Sequence, residues 1–159
     1  MELKYLLLFV FENIRLSSRL SIKIARFHQN RVVFVFSFLH QQLAHSFSLM
    51  DSPVWMDSST GPECRELESE VGGPLSLARV TGCVAQERLT ANQIRKVWKE
   101  KPEVWANTER VSLVSSFLCS IFVGDYVGID MADGSGMNLL DLRNRAWSQQ
   151  CLQVNTCYF

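Results

Sequence analysis

The sequence predicts an α/β domain, mostly helical with a few strands, over the part of the chain that follows Asp51. Three observations carry that prediction. Apolar residues recur there at helical spacing between glycine and proline stops. One run, Arg110–Ser115, reads as a buried strand. And the composition breaks near residue 50: residues 1–50 carry six basic and two acidic side chains, residues 51–159 ten and fourteen, so a formal net charge of zero averages +4 with −4. The neutral total gives no basic footprint for a nucleic acid and no acidic self-repulsion to keep the chain unfolded. With 47% hydrophobic and 20% charged residues, the 159-residue chain has the composition of one ordinary domain.

The opening segment stands apart. All eight glycines lie at or beyond Gly61 and all four prolines at or beyond Pro53, whereas seven of the ten phenylalanines lie at or before Phe47. Sharp corners need glycine and proline, so this segment lacks the means to turn. Its apolar runs, Tyr5–Phe11 and Val32–Leu39, are too short to span a bilayer, and no small-x-small cleavage site follows the first. Leu16, Leu20, Ile24 and Phe27 sit at helical spacing with basic residues on other faces, the pattern of a membrane-surface helix. The absence of caps and turn chemistry favours the alternative, an extension outside the domain.

Further on, local signals agree with one another. Thr60-Gly-Pro-Glu63 reads as a capping box opening a helix over 61–71 with an acidic surface, stopped by Gly72-Gly73. Pro74–Val80 is a second helix, stopped at Gly82. Thr90-Ala-Asn-Gln93 is a second box, opening a helix with Ile94, Val97 and Trp98 inward and Arg95, Lys96, Lys99 and Lys101 on a solvated face; Pro102 ends it and a short turn runs to Asn107. After the strand at 110–115, Ser115–Val123 reads as a core helix ending at Gly124, and Arg145–Leu152 as a closing helix with Trp147 in the core.

Candidate chemistry is sparse. Cys64, Cys83, Cys119, Cys151 and Cys157 are an odd number with no C-x-x-C and no histidine beyond His45, so no zinc site follows and reduced cysteines in a cytoplasmic protein are expected. There is no N-x-[ST] sequon. The loop from Gly128 to Gly136 is acidic but lacks the oxygen-ligand spacing and final Glu of a calcium loop, and Gly134-x-Gly136 lacks the rest of a dinucleotide fingerprint. No G-x-S-x-G or Walker loop is present, and His28, His40 and His45 all belong to the odd segment or its border. A loop arginine such as Arg88, just before a helix start, is placed to bind a polar ligand.

Five stretches add a resemblance: Ser52-Pro-Val-Trp-Met-Asp-Ser-Ser-Thr60, Gln86-Glu-Arg-Leu-Thr-Ala-Asn-Gln-Ile94, Thr108-Glu-Arg-Val-Ser-Leu-Val-Ser-Ser-Phe117, Asp133-Gly-Ser-Gly-Met-Asn-Leu-Leu140 and Trp147-Ser-Gln-Gln-Cys-Leu152. In that order they resemble the FGGY family of carbohydrate kinases, and within it the animal members that phosphorylate xylulose. The resemblance covers residues 39–152, part of a first kinase domain; residues 1–38 and 153–159 do not match. It implies a ribonuclease H-like, actin-like ATPase architecture and transfer of the ATP γ-phosphate to D-xylulose with Mg²⁺. It implies substrate binding by Arg88, which matches the sugar-reaching position before the [FL]-T-x-N-Q-I stretch, with Trp55 and Asp57 supporting the substrate site. Leu89 and Ala91 stand where the family usually has Phe and Gly.

The family's phosphate hairpin and its G-D-N segment with the general base have no counterpart in these 159 residues. An incomplete, inactive kinase fragment is therefore expected, with no catalytic residue, metal or cofactor site of its own and weak affinity for ATP and Mg²⁺. Two other readings stay open at this level: a non-catalytic sugar-binding fragment using Arg88, and a membrane-associated adaptor anchored by residues 1–38. A cytoplasmic monomer or aggregation-prone fragment, without nucleic-acid partners, is the expected state.

Overall fold

The structure, a computed structural model, describes the backbone of residues 4–8, 21–28, 31–38, 43, 46–49 and 51–155, and the side chains of 43, 46–49 and 51–154. Three helices and the chain's last described helix enclose its core. Helix α1 (Gly61–Val71) carries Pro62 in its first turn and stops where Gly72 turns left-handed at φ 91°, a conformation a side chain would oppose. Helix α2 (Pro74–Thr81) follows and is closed by Gly82. Helix α3 (Thr90–Glu100) runs into the short α4 (Pro102–Ala106), and α7 (Gln149–Asn155) returns to pack on α1 and α3. Leu67, Leu77, Ala91 and Cys151 are fully buried at the centre, with Val71, Ile94, Val97, Met137 and Leu139 around them.

The described strands form three separate two-stranded sheets. Strand β4 (Thr108–Leu113) pairs in parallel with β1 (Lys4–Leu8), while β2 (Ser21–His28) and β3 (Arg31–Phe38) form an antiparallel pair running from Ser21 opposite Phe38 to His28 opposite Arg31. Ile24 and Phe27 thus belong to a strand, not to the amphipathic helix their spacing predicts; Leu16 and Leu20 lie outside the described residues. Helix α5 (Val114–Val123) continues directly from β4. Strand β4 falls two residues earlier than the sequence predicts, and α5 begins one residue earlier.

Five expectations are corrected. Neither threonine box forms its cap: Thr60 is the N-cap of α1 but its hydroxyl is spent on a loop described below, and Thr90 is the first residue of α3, one position past the N-cap Leu89. Instead the Ala91 amide, a free donor of the first turn of α3, reaches the Met137 carbonyl at 3.0 Å. Helix α5 is core on one face only, with Phe122 74% and Val123 67% exposed. The closing helix begins four residues late, because Ala146–Trp147 (β6) pairs with Leu140–Asp141 (β5) in a hairpin whose turn is held by the Asp141 carboxylate, which accepts from the Arg143 and Asn144 amides. That hairpin leaves Trp147 40% exposed rather than in the core. The acidic loop contains a short helix, α6 (Met131–Ser135), whose Asp130 caps it by accepting from the Ala132 amide at 2.8 Å.

The basic face of α3 is only partly solvated. Arg95 Nε sits 2.9 Å from Glu66 Oε2, and Lys99 Nζ lies 3.0 Å from Glu63 Oε1 and 2.7 Å from Glu66 Oε1, so the acidic side of α1 takes up two of the cations. Arg95 also stacks over Trp98, 5.3 Å from its ring centroid.

Candidate functional site

Trp55, Asp57 and Arg88 line one cleft of about 550 Å³, together with Arg65, Gln86 and Glu87. Its two walls are the turn over residues 54–59, which precedes α1, and the loop over residues 85–89, which precedes α3.

The second wall is a loop whose carbonyls are held by buried side chains. Asn92 Nδ2 donates to the Gln86 carbonyl at 2.8 Å, and Gln93 Nε2 to the Glu87 carbonyl at 3.1 Å. Thr60 Oγ1 donates to that same Glu87 carbonyl at 2.5 Å. The Ala85 amide is bound by Glu68 Oε1 at 3.1 Å, and the Leu89 amide by the Gln86 carbonyl at 2.9 Å. Thr60, Asn92 and Gln93 are all essentially inaccessible to water. The donors of these buried side chains are paired with loop carbonyls, which holds this backbone path, while Asn92 Oδ1 is buried without a partner among the described residues. The N-Q pair of the [FL]-T-x-N-Q-I stretch thus sits inward on the first turn of α3, where an amphipathic pattern would place apolar groups.

Arg88 emerges from this loop exposed and lines the cleft, with Nη2 donating to Gln86 Oε1 at 3.0 Å. Opposite, Asp57 closes a tight turn: its amide donates to the Val54 carbonyl at 3.0 Å, and its Oδ1 accepts from the Ser59 amide at 2.8 Å and from the Ser59 hydroxyl. Partial burial works against its charge. The Ser59 bonds, Gln93 and the Lys96 ammonium outweigh that and hold the Asp57 carboxyl below the usual carboxylate range. Cys64 also lines the cleft, but burial pushes its thiol up to about 11, so it is no nucleophile at neutral pH. A second, mainly apolar groove of about 480 Å³ adjoins at Trp55, walled by Leu89, Leu113, Val114 and Leu118.

The chemistry on offer is hydrogen bonding to a polyol. Two guanidiniums donate, two carboxylates accept, and Trp55 supplies an apolar face. Arg65 and Glu87 went unrecognised in the sequence, because a charged residue on an acidic helix or in a loop carries no spacing signal. Among the described residues no group of three histidine, cysteine or acidic side chains converges to hold a metal ion. Among the described residues no helix is long and apolar enough to cross a membrane. The side chain of His28 and all of His40 and His45 lie outside the described residues.

The cleft is walled by two of the stretches that carry the resemblance to carbohydrate kinases. The chain belongs to the FGGY family of carbohydrate kinases: residues 45–157 match the family's N-terminal domain. Its relatives include xylulose kinase of Rattus norvegicus, 54% identical over 116 residues that cover 73% of this chain and 22% of that enzyme. The Mus musculus xylulose kinase is 53% identical over 73% of the chain and 21% of the enzyme, and Arabidopsis thaliana xylulose kinase 2 is 50% identical with the same coverage. The crystal structure of a xyloylose (xylulose) kinase from Brucella ovis superposes with a TM-score of 0.56 at 26% identity, covering 64% of this chain and 20% of that one. The fold is therefore that of an FGGY N-terminal domain, of the actin-like ATPase class, mostly helical with few strands in this portion. The chain spans about a fifth of the length of the curated relatives it matches.

Proposed function

We propose that residues 39–152 are the sugar-binding portion of a kinase that phosphorylates D-xylulose to D-xylulose 5-phosphate with ATP and Mg²⁺ in the cytoplasm, residues 1–38 and 153–159 being extensions of it. The observation that carries this reading is the convergence of Arg88, Asp57 and Trp55 on one cleft in a chain of this family. Arg88 donates hydrogen bonds to the sugar hydroxyls, while Trp55 and Asp57 shape the opposite wall. Phosphoryl transfer depends on positioning and on charge stabilisation around Mg²⁺, functions assigned to other parts of the longer family chains. Accordingly the 159-residue chain binds sugar without turning it over.

Calorimetric titration of the purified chain with D-xylulose tests this. A hydrogen bond from a charged donor is worth roughly 1.5–3 kcal/mol, so Arg88→Ala weakens binding by about tenfold or more. Equal binding by both proteins, or none by the unaltered chain, refutes the assignment of Arg88. ATP-dependent phosphorylation of D-xylulose by the 159-residue chain alone refutes the assignment of phosphoryl transfer to other segments.

A further inference from the structure

We propose that Thr60 is a positioning residue for Arg88, its hydroxyl tying the Arg88 loop to the opposite wall of the cleft. The proposal rests on the sugar-binding reading of Arg88 but on different atoms. Thr60 follows the turn that carries Trp55 and Asp57 and is the N-cap of α1, yet its side chain makes no capping bond. The hydroxyl instead reaches 27 residues along the sequence and donates to the Glu87 carbonyl at 2.5 Å, the carbonyl of the peptide bond to Arg88. Thr60 is fully buried, so no solvent water competes for this bond. The walls also meet at the next residue: Gly61 carries no side chain, and a methyl group there would lie 3.3 Å from Glu87 Oε1.

The other bonds to the loop hold it from elsewhere. Asn92 and Gln93, which bind the Gln86 and Glu87 carbonyls, belong to α3, the helix into which the loop leads, so they fasten the loop to its own continuation. Glu68 binds the Ala85 amide from the last turn of α1, three residues before Arg88. Thr60 alone of these side chains adjoins the wall bearing Trp55 and Asp57 and grips the residue next to Arg88. That wall is a firm anchor: Asp57 Oδ1 accepts from the Ser59 amide, and Lys96 Nζ of α3 donates to Ser59 Oγ at 2.5 Å. The Arg88 side chain is exposed and bonded to Gln86 of its own loop, so its direction follows its backbone. Fixing that backbone before the ligand arrives removes part of the ordering cost of a flexible arginine from the binding step.

The test uses the 159-residue chain with Thr60→Val, which keeps the branched shape and loses the hydroxyl, and Thr60→Ser, which keeps the hydroxyl. In Thr60→Val the Glu87 carbonyl retains Gln93 and no capping bond is lost, so the variant removes the tie alone. The NMR order parameter of the Arg88 amide then falls from about 0.85, the rigid-backbone value, towards about 0.6, while that of the buried Leu67 does not change. Affinity for D-xylulose falls about fivefold, as the loss of one hydrogen bond of ordinary strength allows, and this loss disappears in an Arg88→Ala background. Thr60→Ser restores both readouts. An unchanged order parameter at Arg88 in Thr60→Val overturns the proposal, even where stability falls, because that result marks a purely structural role. Affinity that is unchanged in Thr60→Val, that falls as far in Thr60→Ser, or whose loss persists in full without Arg88 also overturns it. If Thr60→Val does not fold, the unaltered chain decides: a Thr60 hydroxyl proton that exchanges slowly enough to be seen in water supports the tie, and one that exchanges at the free rate overturns it. If the unaltered chain binds no D-xylulose while order at Arg88 still depends on the hydroxyl, the sugar reading fails and the tie between the walls stands.

Discussion

Replacing Lys99 with methionine isolates the one ion pair in which the described structure buries a carboxylate. Lys99 Nζ lies 3.0 Å from Glu63 Oε1 and 2.7 Å from Glu66 Oε1, and the three side chains are 33%, 7% and 38% exposed in that order. Removing one partner of a fully buried pair costs roughly 3–5 kcal/mol, whereas an exposed pair contributes roughly 0.2–1 kcal/mol. Glu66 keeps Arg95 at 2.9 Å and loses little; Glu63 is left buried without its cation. With Lys99 itself a third exposed, the loss settles at about 1–2 kcal/mol, nearly all of it from Glu63. Urea unfolding followed by tryptophan fluorescence measures it, and Glu63→Gln combined with Lys99→Met should lose less than Lys99→Met alone, because the uncompensated charge is gone. A loss below about 0.3 kcal/mol, or a double variant as poor as the sum of the singles, refutes the reasoning. The pH dependence has two edges. The Glu66 carboxyl is held below its ordinary 4.5 by Lys99 and then Arg95, against slight desolvation, so its contribution is full above pH 4.5 and is lost as pH falls through the lower folded value. The Lys99 ammonium is held above its ordinary 10.5 by Glu66 and then Glu63, so its contribution is full below pH 10.5 and is lost as pH climbs through the higher folded value.

Gly82 sits at φ +89°, and a methyl group there would lie 2.6 Å from Leu142 Cδ1, so Gly82→Ala should cost about 1–3 kcal/mol in thermal unfolding, and an unchanged melting temperature contradicts it. Leu67 is fully buried between α1 and its neighbours, and Leu67→Ala should cost about 2–5 kcal/mol in the same assay; a loss under 1 kcal/mol would mean the site collapses around the cavity. Cys119 is exposed, whereas burial pushes the Cys64 thiol up to about 11, so iodoacetamide at pH 8 should label Cys119 well before Cys64 in the folded chain; the reverse order contradicts the burial of Cys64.

Elements with a local cause were legible in the sequence. Gly72 and Gly82 stop α1 and α2 where their left-handed geometry is needed, and Ile94 and Val97 face the core as their spacing requires. What could not be read is decided by tertiary partners. Thr60 has the spacing of a cap, but its hydroxyl goes to a carbonyl 27 residues away. Trp147 has the composition of a core residue, but the β5–β6 hairpin turns it outward. Phe122 and Val123 lie on a face of α5 that no described residue covers, and an apolar helix sequence does not reveal which of its faces finds a partner. At the cleft, Arg88, Trp55 and Asp57 were recognisable through the resemblance, while Arg65 needed coordinates.

Four of the five stretches that carry the family resemblance place buried polar side chains, among them Thr60, Asn92, Gln93 and Asn138. An apolar core position accepts many side chains of similar volume, so its sequence says little about the backbone path. A buried polar group accepts almost none, because it must meet its partners at the right distance or pay the full cost of desolvation. Asn92 and Gln93 hold the Arg88 loop. Asn138, fully buried, donates to Thr81 Oγ1 at 3.1 Å and to the Cys83 carbonyl at 3.3 Å, so the 133–140 stretch is fastened to the end of α2 while the neighbouring Met137 carbonyl receives the first turn of α3. These bonds connect segments about 55 residues apart in sequence and converge beside the same loop. The recognisable motifs therefore encode a backbone conformation around the cleft, and the side chain that conformation presents is Arg88.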